Sequence, residues 1–422
     1  MSESNTICVL PWLHFSVKPD GNIKPCCRFS TYSSEITANS FKKFNLSRFP
    51  NASEVLNSRQ LSNMRASMLT GNTISGCEKC YLEERIHGKS MRTGVNTQYN
   101  LEEVIKKNKL SLEFLEVTFG NYCNLACRSC GSDLSTSWQQ DDKILSIHYE
   151  RGNTTDKIIN TEFIWKEDDF TDINYIKFTG GEPMLHPNFI KFLDLIIKGD
   201  NHSHTTLEIF TNCSWIPKDK ILKRLQKFKQ IKIFLSIDGI GTVNDYIRHN
   251  SKWQIVEKSI LNWLEFEKRM PTLSLILTPT VSIYNIFNIK ELLNYWENVR
   301  NKYDLLISNT SGKVIVNMVT YPEYLSITLL PNYEEVLSDL NNYVANKKNE
   351  YLIEPILKIM HFLKSNNSSK YSLDYFLNYT CDLDKLRNQS LEKSIPFLHN
   401  HLSNYYRGIG VDINNFKGRI NE

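Results

Sequence analysis

The chain has 422 residues, 41% of them hydrophobic and 23% charged, and a net charge of +4. That is the composition of a folded globular protein, long enough for two or three domains at about 150 residues each. The small charge gives no electrostatic case for a nucleic-acid or membrane-surface partner, and no stretch approaches the roughly 18 apolar residues that span a bilayer.

The opening MSESNTICVLPWLHF has neither a basic n-region nor an unbroken apolar run, so no signal peptide is expected. The expected location is the cytoplasm, where thiols stay reduced. Clustered cysteines in such a compartment point to metal rather than to disulfides. Of the ten cysteines, Cys8, Cys26 and Cys27 form one group, Cys77 and Cys80 a second, and Cys123, Cys127 and Cys130 a third. Cys213 and Cys381 stand alone.

The first hundred residues are turn-rich, then polar and helical. In VKPDGNIKPCC, Asp20 and Gly21 between two extended runs predict a hairpin. Residues 22–27 are expected to run extended, with Cys26 and Cys27 on opposite faces.

From residue 113, short β-branched or aromatic runs alternate with longer amphipathic segments. The runs are EFLEVTF (113–119), NYIKFTG (174–180), TLEIFTN (206–212), KIFLSID (232–238), LSLILTP (273–279) and KVIVNMV (313–319), each read as a buried strand. Between them, PNFIKFLDLIIKG (187–199) and PKDKILKRLQKFK (217–229) have helical spacing. The lysines of the second fall on its solvated face, which reads as an outer helix and not as an RNA-binding patch. Such alternation predicts parallel strands joined by right-handed crossovers. Conspicuous residues follow each strand in turn: the cysteine trio, GGEP, TNC, SIDG, TPT and TYPE. Barrels gather their sites at the C-terminal strand ends. The expected fold is therefore α/β, a partial (β/α)6 TIM-like barrel over 110–325. A helical C-terminal extension over 326–422 is expected from NYEEVLSDLNNYVANKKNE and EPILKIMHFLKS, with an exposed loop at SNNSSKYS (365–372).

In FGNYCNLACRSCGS (119–132) three cysteines are spaced C-x3-C-x2-C. A disulfide uses two thiols and a structural zinc site four ligands. A [4Fe–4S] cube bound by three thiolates keeps one iron open for a further ligand. The competing reading is a zinc knuckle with a distant fourth ligand such as His148. CNLACRSC followed by GGEP resembles the radical S-adenosylmethionine (SAM) superfamily, and TNC, SIDG and DYIRHNSKW (245–253) strengthen the resemblance over roughly 113–325. It implies that the open iron chelates the amino and carboxylate groups of SAM and that an electron breaks the sulfonium C–S bond. The 5′-deoxyadenosyl radical so formed would abstract a hydrogen atom from substrate. An aromatic residue often precedes the last cysteine in that family. Here it is Ser129, so adenine packing is expected from elsewhere.

The resemblance also distributes the SAM contacts. Gly180, Gly181, Glu182 and Pro183 would hold the amino group, the glycines admitting a close backbone carbonyl. Ser236 and Arg248 would bind the carboxylate, for which a guanidinium fork is suited. Asn212 would reach the ribose hydroxyls, and Asp238 would do the same or cap the next helix. Cys213, next to Asn212, is a candidate to return a hydrogen atom to a product radical; plain buried packing is the alternative. Cys381 reads as packing.

Gly21-x4-Cys26 and the later Cys77-x2-Cys80 look like a SPASM/Twitch auxiliary-cluster domain, here placed ahead of the barrel in residues 1–105. Pro11, Trp12 and His14 (PW.H), Cys77, Cys80, Tyr81 and Glu84 (C..CY..E), and Leu383, Asp384 and Arg387 (LD..R) extend the likeness to a Twitch-domain radical SAM subgroup. It implies a second [4Fe–4S] cluster on Cys8, Cys26, Cys77 and Cys80, conducting electrons, with Cys27 a bystander and Cys8 on the facing arm of the hairpin. A zinc ribbon also fits the pair-plus-pair spacing.

The expected function is that of a radical SAM oxidoreductase or maturase. It would be fed by an external electron donor and would oxidise, epimerise or otherwise modify a peptide or carbohydrate. The alternative from another class is a non-catalytic binding protein of the same fold holding structural zinc or iron–sulfur. The intact trio and GGEP argue against it.

Overall fold

The centre of EFLEVTF, Phe114–Val117, has all four side chains buried, as expected of a strand covered on both faces. In this computed structural model, which describes residues 6–31, 39–106, 110–160, 164–308, 310–365 and 370–420, the principal strands follow the expected order. They are β1 (His14–Val17), β2 (Ile23–Lys24), β3 (Phe114–Val117), β4 (Tyr175–Phe178), β5 (Thr206–Thr211), β6 (Gln230–Leu235) and β7 (Leu273–Leu277). The class is α/β with mostly parallel pairing. Two compact units are built from interleaved segments. The first draws on Met1–Asn121, Ile159–Ile209 and Asp219–Ile231, the second on Tyr122–Ile158, Phe210–Lys218 and Lys232–Glu422.

In the first unit the strand order is β2-β1-β3-β4-β5, antiparallel between β1 and β2 and parallel thereafter. The place of β1 differs from expectation. HFSV reads in sequence as a hairpin arm, yet it also pairs in parallel with β3, His14 opposite Phe114 and Val17 opposite Val117. The partners lie 100 residues apart, beyond the reach of a local pattern.

The two faces of this sheet differ sharply. Leu115, Val117, Ile176, Phe178, Leu207 and Ile209 alternate onto one face and are buried to the last 1% of their surface. Phe189 and Phe192 of the helix Pro187–Lys198 pack edge-on to Phe178, with ring centroids 5.1 and 5.7 Å away. That helix opens with Pro187 at its first position, where the missing N–H costs nothing. The opposite face is polar. Ser16, Glu116, Lys177 and Glu208 stand in one cross-strand row. Lys177 Nζ lies 3.6 Å from Glu208, and the Tyr175 hydroxyl donates to the same carboxylate.

His14, fully buried, donates from Nδ1 to the Phe114 carbonyl at 3.0 Å. Burial holds its ring neutral, lowering the pKa to about 3 despite that bond. The unfolded ring titrates near about 6.5. The His14 contribution to stability is thus fully present above that pH and is lost as pH falls through the native value. His14→Asn keeps a donor and removes the titration. Between pH 7 and pH 5 the urea midpoint is expected to fall less in the variant than in the parent; an equal fall would move the effect to other groups.

In the second unit, residues 232–235 of β6 neighbour β7. The expected strand at 313–319 is broken. Leu277 and Val314 form an isolated parallel bridge, and only Asn317–Met318 forms a strand, paired with Thr280–Val281. The Asn317 amide still donates to the Pro279 carbonyl at 3.0 Å, but Pro279 has no N–H to return, which interrupts the ladder. The tail is helical as expected, with Tyr333–Asn346, Glu350–Lys364, Leu373–Arg387 and Pro396–Gly408. Half of the loop expected at 365–372, residues 366–369, lies outside the described residues. No described helix is long and apolar enough to cross a membrane.

Candidate active site

The cysteine trio lies in the second unit on one loop. Cys123 and Cys127 are buried around Leu125, and Cys130 packs against them. Each cysteine carbonyl is tied down. Cys123 O accepts from Ser137 Oγ (2.9 Å) and Thr136 Oγ1 (3.2 Å), Cys127 O from Trp138 Nε1 (2.7 Å), and Cys130 O from Arg151 Nη2 (2.7 Å). A two-residue antiparallel pair, Ala126–Cys127 with Arg248–His249, sets Cys127 directly opposite Arg248. The Cys130 thiol donates to Cys127. That bond, opposed by burial and helped by Arg248, holds the Cys127 thiol below its ordinary value, while Cys130 is pushed well above its own.

Arg248 is buried. Its Nη1 lies 3.7 Å from Cys127 Sγ and its Nε 2.9 Å from Asp238 Oδ2. Burial works against the charge, and Asp238 and then Cys127 outweigh it, so the guanidinium titrates above its ordinary range. Asp238 is taken up on both sides: its other oxygen accepts from the Thr280 amide at 2.8 Å. It does not cap the helix Gly241–Ile247, which starts at Ile240 without a side-chain cap. Asp238 here orients Arg248. Asn212 Nδ2 donates to Asn124 Oδ1 (3.0 Å) and approaches Cys123 Sγ (3.8 Å). Ser236 is half-buried, its amide donating to the Thr211 carbonyl at 2.8 Å. Cys213 is fully buried with φ of +56°, a left-handed backbone rarely adopted by non-glycine residues. Ser137, Trp138 and Arg151 were not foreseen. The sequence signal for Ser137 and Trp138 is a small-polar and tryptophan run, STSW, just after the loop; Arg151 lies outside that run.

GGEP lies in the first unit. Gly180 and Gly181 have φ of +72° and +52°, and a Cβ on Gly180 would meet Thr118 Cγ2 at 2.2 Å. Only glycine fits there. Glu182 is buried, and Pro183 opens the short 3-10 turn Pro183–Leu185.

Also in the first unit, Cys8, Cys26, Cys77 and Cys80 line one cavity together with Gly76 and Arg92. Cys8 is set by the helix Met91–Gln98. Asn96 accepts from the Val9 amide (2.8 Å) and donates to the Ile7 carbonyl (2.9 Å), which also accepts from Arg92 Nη1 (2.8 Å). Cys77 is the N-cap of the helix Glu78–His87, and the Cys80 amide donates to its carbonyl at 3.1 Å. Gly76 has φ of +99°, and a Cβ there would strike the Ser30 carbonyl at 2.6 Å. Two details differ from expectation. Cys8 precedes the short helix Leu10–Leu13 and is not on the hairpin arm. The extended run ends at Lys24, and Cys26 starts a turn in which the Phe29 amide donates to its carbonyl (3.2 Å). A turn, not strand alternation, separates Cys26 from Cys27. Cys27 is outside the cavity lining and meets Glu116 and Lys177; burial first, then Glu116, pushes its thiol up to about 11.

Both donor sets fit iron–sulfur clusters: three thiols with a cation beside them, and four thiols around one cavity. Burial raises the Cys8 thiol to about 12 and Cys26 and Cys77 well above their ordinary values, so binding must displace protons. Among the described residues no group of three or more His, Cys, Asp or Glu is placed to hold a single metal ion. Cys26→Ala is expected to lose the second cluster and Cys27→Ala to keep it, read by iron content and electron paramagnetic resonance in a chain lacking the trio. The reverse result would exchange their roles.

Residues 117–281 match the Radical SAM superfamily, and residues 8–81 match SPASM, an iron–sulfur cluster-binding domain. An uncharacterized protein of Methanocaldococcus jannaschii is 27% identical over 241 residues, 56% of this chain and 73% of that protein. Among solved structures, native anSMEcpe with bound AdoMet and Cp18Cys peptide is 18% identical, with a TM-score of 0.35 over 66% of this chain and 67% of that one. Streptococcus suis SuiB bound to precursor peptide SuiA is 14% identical, with a TM-score of 0.35 over 79% and 69%. With the GGEP motif, the C-x3-C-x2-C loop and the cysteine-lined cavity in place, residues 117–281 are a radical SAM domain and residues 8–81 a SPASM-type iron–sulfur region.

Proposed function

We propose that this protein reductively cleaves SAM at a [4Fe–4S] cluster held by Cys123, Cys127 and Cys130, and uses the outcome to oxidise, epimerise or otherwise modify a peptide or carbohydrate. The observation that carries the reading is the convergence of three thiols, Arg248 and Asn212 on one anchored loop. When bound, the cluster and SAM supply reductive sulfonium cleavage and hydrogen-atom abstraction. The chain supplies position and charge. Arg248, aimed by Asp238, offers a fixed cation to the SAM carboxylate. Asn212 offers an amide to the ribose, Ser236 a hydroxyl to the carboxylate, and the GGEP loop a close backbone approach to the amino group. Cys8, Cys26, Cys77 and Cys80 would hold an auxiliary cluster that passes electrons to or from an external partner.

The row of Ser16, Glu116, Lys177 and Glu208 supports a polar substrate, since it alternates donors and acceptors along one sheet face. The test is anaerobic turnover with dithionite and SAM, scored by 5′-deoxyadenosine. With a candidate peptide or sugar in deuterated solvent, loss of two mass units marks oxidation and gain of one marks epimerisation. Iron-loaded protein that binds SAM and never cleaves it would support the binding-protein alternative. Lys177→Met is expected to raise KM for the substrate by about tenfold, from loss of a charge-assisted bond, while leaving uncoupled SAM cleavage unchanged. An unchanged KM would remove the row from substrate binding.

A further inference from the structure

The LD..R motif in the tail takes no part in the reaction as proposed, yet Asp384 reaches the cysteine loop and Arg387 the segment just after it. Within the second unit, the helix Leu373–Arg387 carries both Asp384 and Arg387. Arg128, next to Cys127 and wholly buried, donates through Nη2 to Asp384 and to Gln389 Oε1 (3.1 Å), and through Nε to the Tyr246 carbonyl (3.0 Å). The second Asp384 oxygen accepts from the Leu391 amide at 2.8 Å. Arg387 donates from Nε to Asp141 at 2.8 Å and lies 4.2 Å from the Trp138 ring centroid. Trp138 is the donor to the Cys127 carbonyl. The tail thus reaches the Cys127 segment by two routes, one ionic and one through an indole.

A buried ion pair is a poor source of net stability compared with apolar packing. Charges and hydrogen bonds around an iron–sulfur site do orient its ligands and set its potential. We propose that Asp384 and Arg387 are positioning residues for the radical SAM cluster, locking the Cys127 segment and fixing the local charge that sets the cluster's reduction potential. The inference rests on the reading that Cys123, Cys127 and Cys130 hold that cluster.

The test uses the full chain, reconstituted anaerobically with iron and sulfide and titrated by electron paramagnetic resonance. The signal followed is the one that changes on adding SAM. Asp384→Asn keeps the shape and removes a negative charge, leaving Arg128 uncompensated. The reduced cluster carries one more electron, so it is favoured and the midpoint potential rises. Arg387→Gln removes a positive charge, and the potential falls. Arg387→Lys keeps the charge and stays near the parent value. Opposite shifts from two neutralising substitutions on one helix are not what general loosening produces. In metal-free protein, amide exchange across residues 126–130 is expected to quicken about tenfold in Asp384→Asn and Arg387→Gln. Shifts of the same sign, no shift, or unchanged exchange overturn the inference. If Asp384→Asn fails to fold, the two Arg387 variants decide, and equal potentials in them overturn it. A SAM-sensitive signal that survives Cys127→Ala overturns the ligand assignment, and the inference with it.

Discussion

Cys127→Ala is expected to abolish 5′-deoxyadenosine formation and to remove one cubane of iron per chain. Cys127 is the middle ligand of the trio. It receives the Cys130 thiol, faces Arg248 at 3.7 Å, and has its backbone pinned by the Trp138 indole and by pairing with Arg248. The two thiolates left would hold two corners of a cube that needs three protein ligands beside its open iron. Cys381→Ala is the control: its sulfur donates to the Phe416 carbonyl at 3.3 Å, and among the described residues no hydrogen bond joins its side chain to the loop. Chromatography of SAM incubated with dithionite and each variant gives the answer. Parent-level 5′-deoxyadenosine from Cys127→Ala would place the chemistry elsewhere.

Arg248→Ala is expected to do two kinds of damage at once. Asp238 is 1% exposed, so removing its partner strands a buried carboxylate, at a cost of about 3–5 kcal/mol of stability. Loss of the guanidinium also weakens SAM binding by about 1.5–3 kcal/mol, the scale of a hydrogen bond to a charged group. The double variant Arg248→Ala with Asp238→Ala separates the two. It recovers much of the stability, because no charge is stranded, and none of the SAM affinity. Calorimetry on iron-loaded protein measures the affinity, and thermal unfolding measures the stability. SAM affinity at the parent level in Arg248→Ala would reduce Arg248 to a structural ion pair.

The core strands were legible because each is a short buried run with a local pattern. EFLEVTF announces a strand by composition alone, and its alternation announces two faces. The trio and GGEP were legible because loop spacing is a local property as well. What escaped was non-local. HFSV shows no sign in sequence that it pairs with a strand 100 residues away. Arg128 looks like a spacer between two cysteines until Asp384 arrives from the tail. Asp238, expected as a ribose contact or a cap, turns out to hold Arg248, because the Thr280 amide and Asn285 fix its place. The Cys26 and Cys27 pair shows a third kind of difference. Strand alternation would set the two thiols on opposite faces, and the chain instead turns at that point, although of the two only Cys26 lines the cavity.

The contact between Arg128 and Asp384 joins residues 256 positions apart. On a ribosome working at about 5–20 residues per second, the cysteine loop therefore emerges roughly 13–50 s before the carboxylate that neutralises its arginine. Through that interval the loop has its thiols and not its anchor. The locked form of the loop cannot exist until the helix Leu373–Arg387 has left the exit tunnel, so iron loading into that form must follow the synthesis of that helix. A ribosome-stalled nascent chain ending before residue 384 should therefore take up iron at the trio less tightly than the released protein, and should give it up sooner to a chelator.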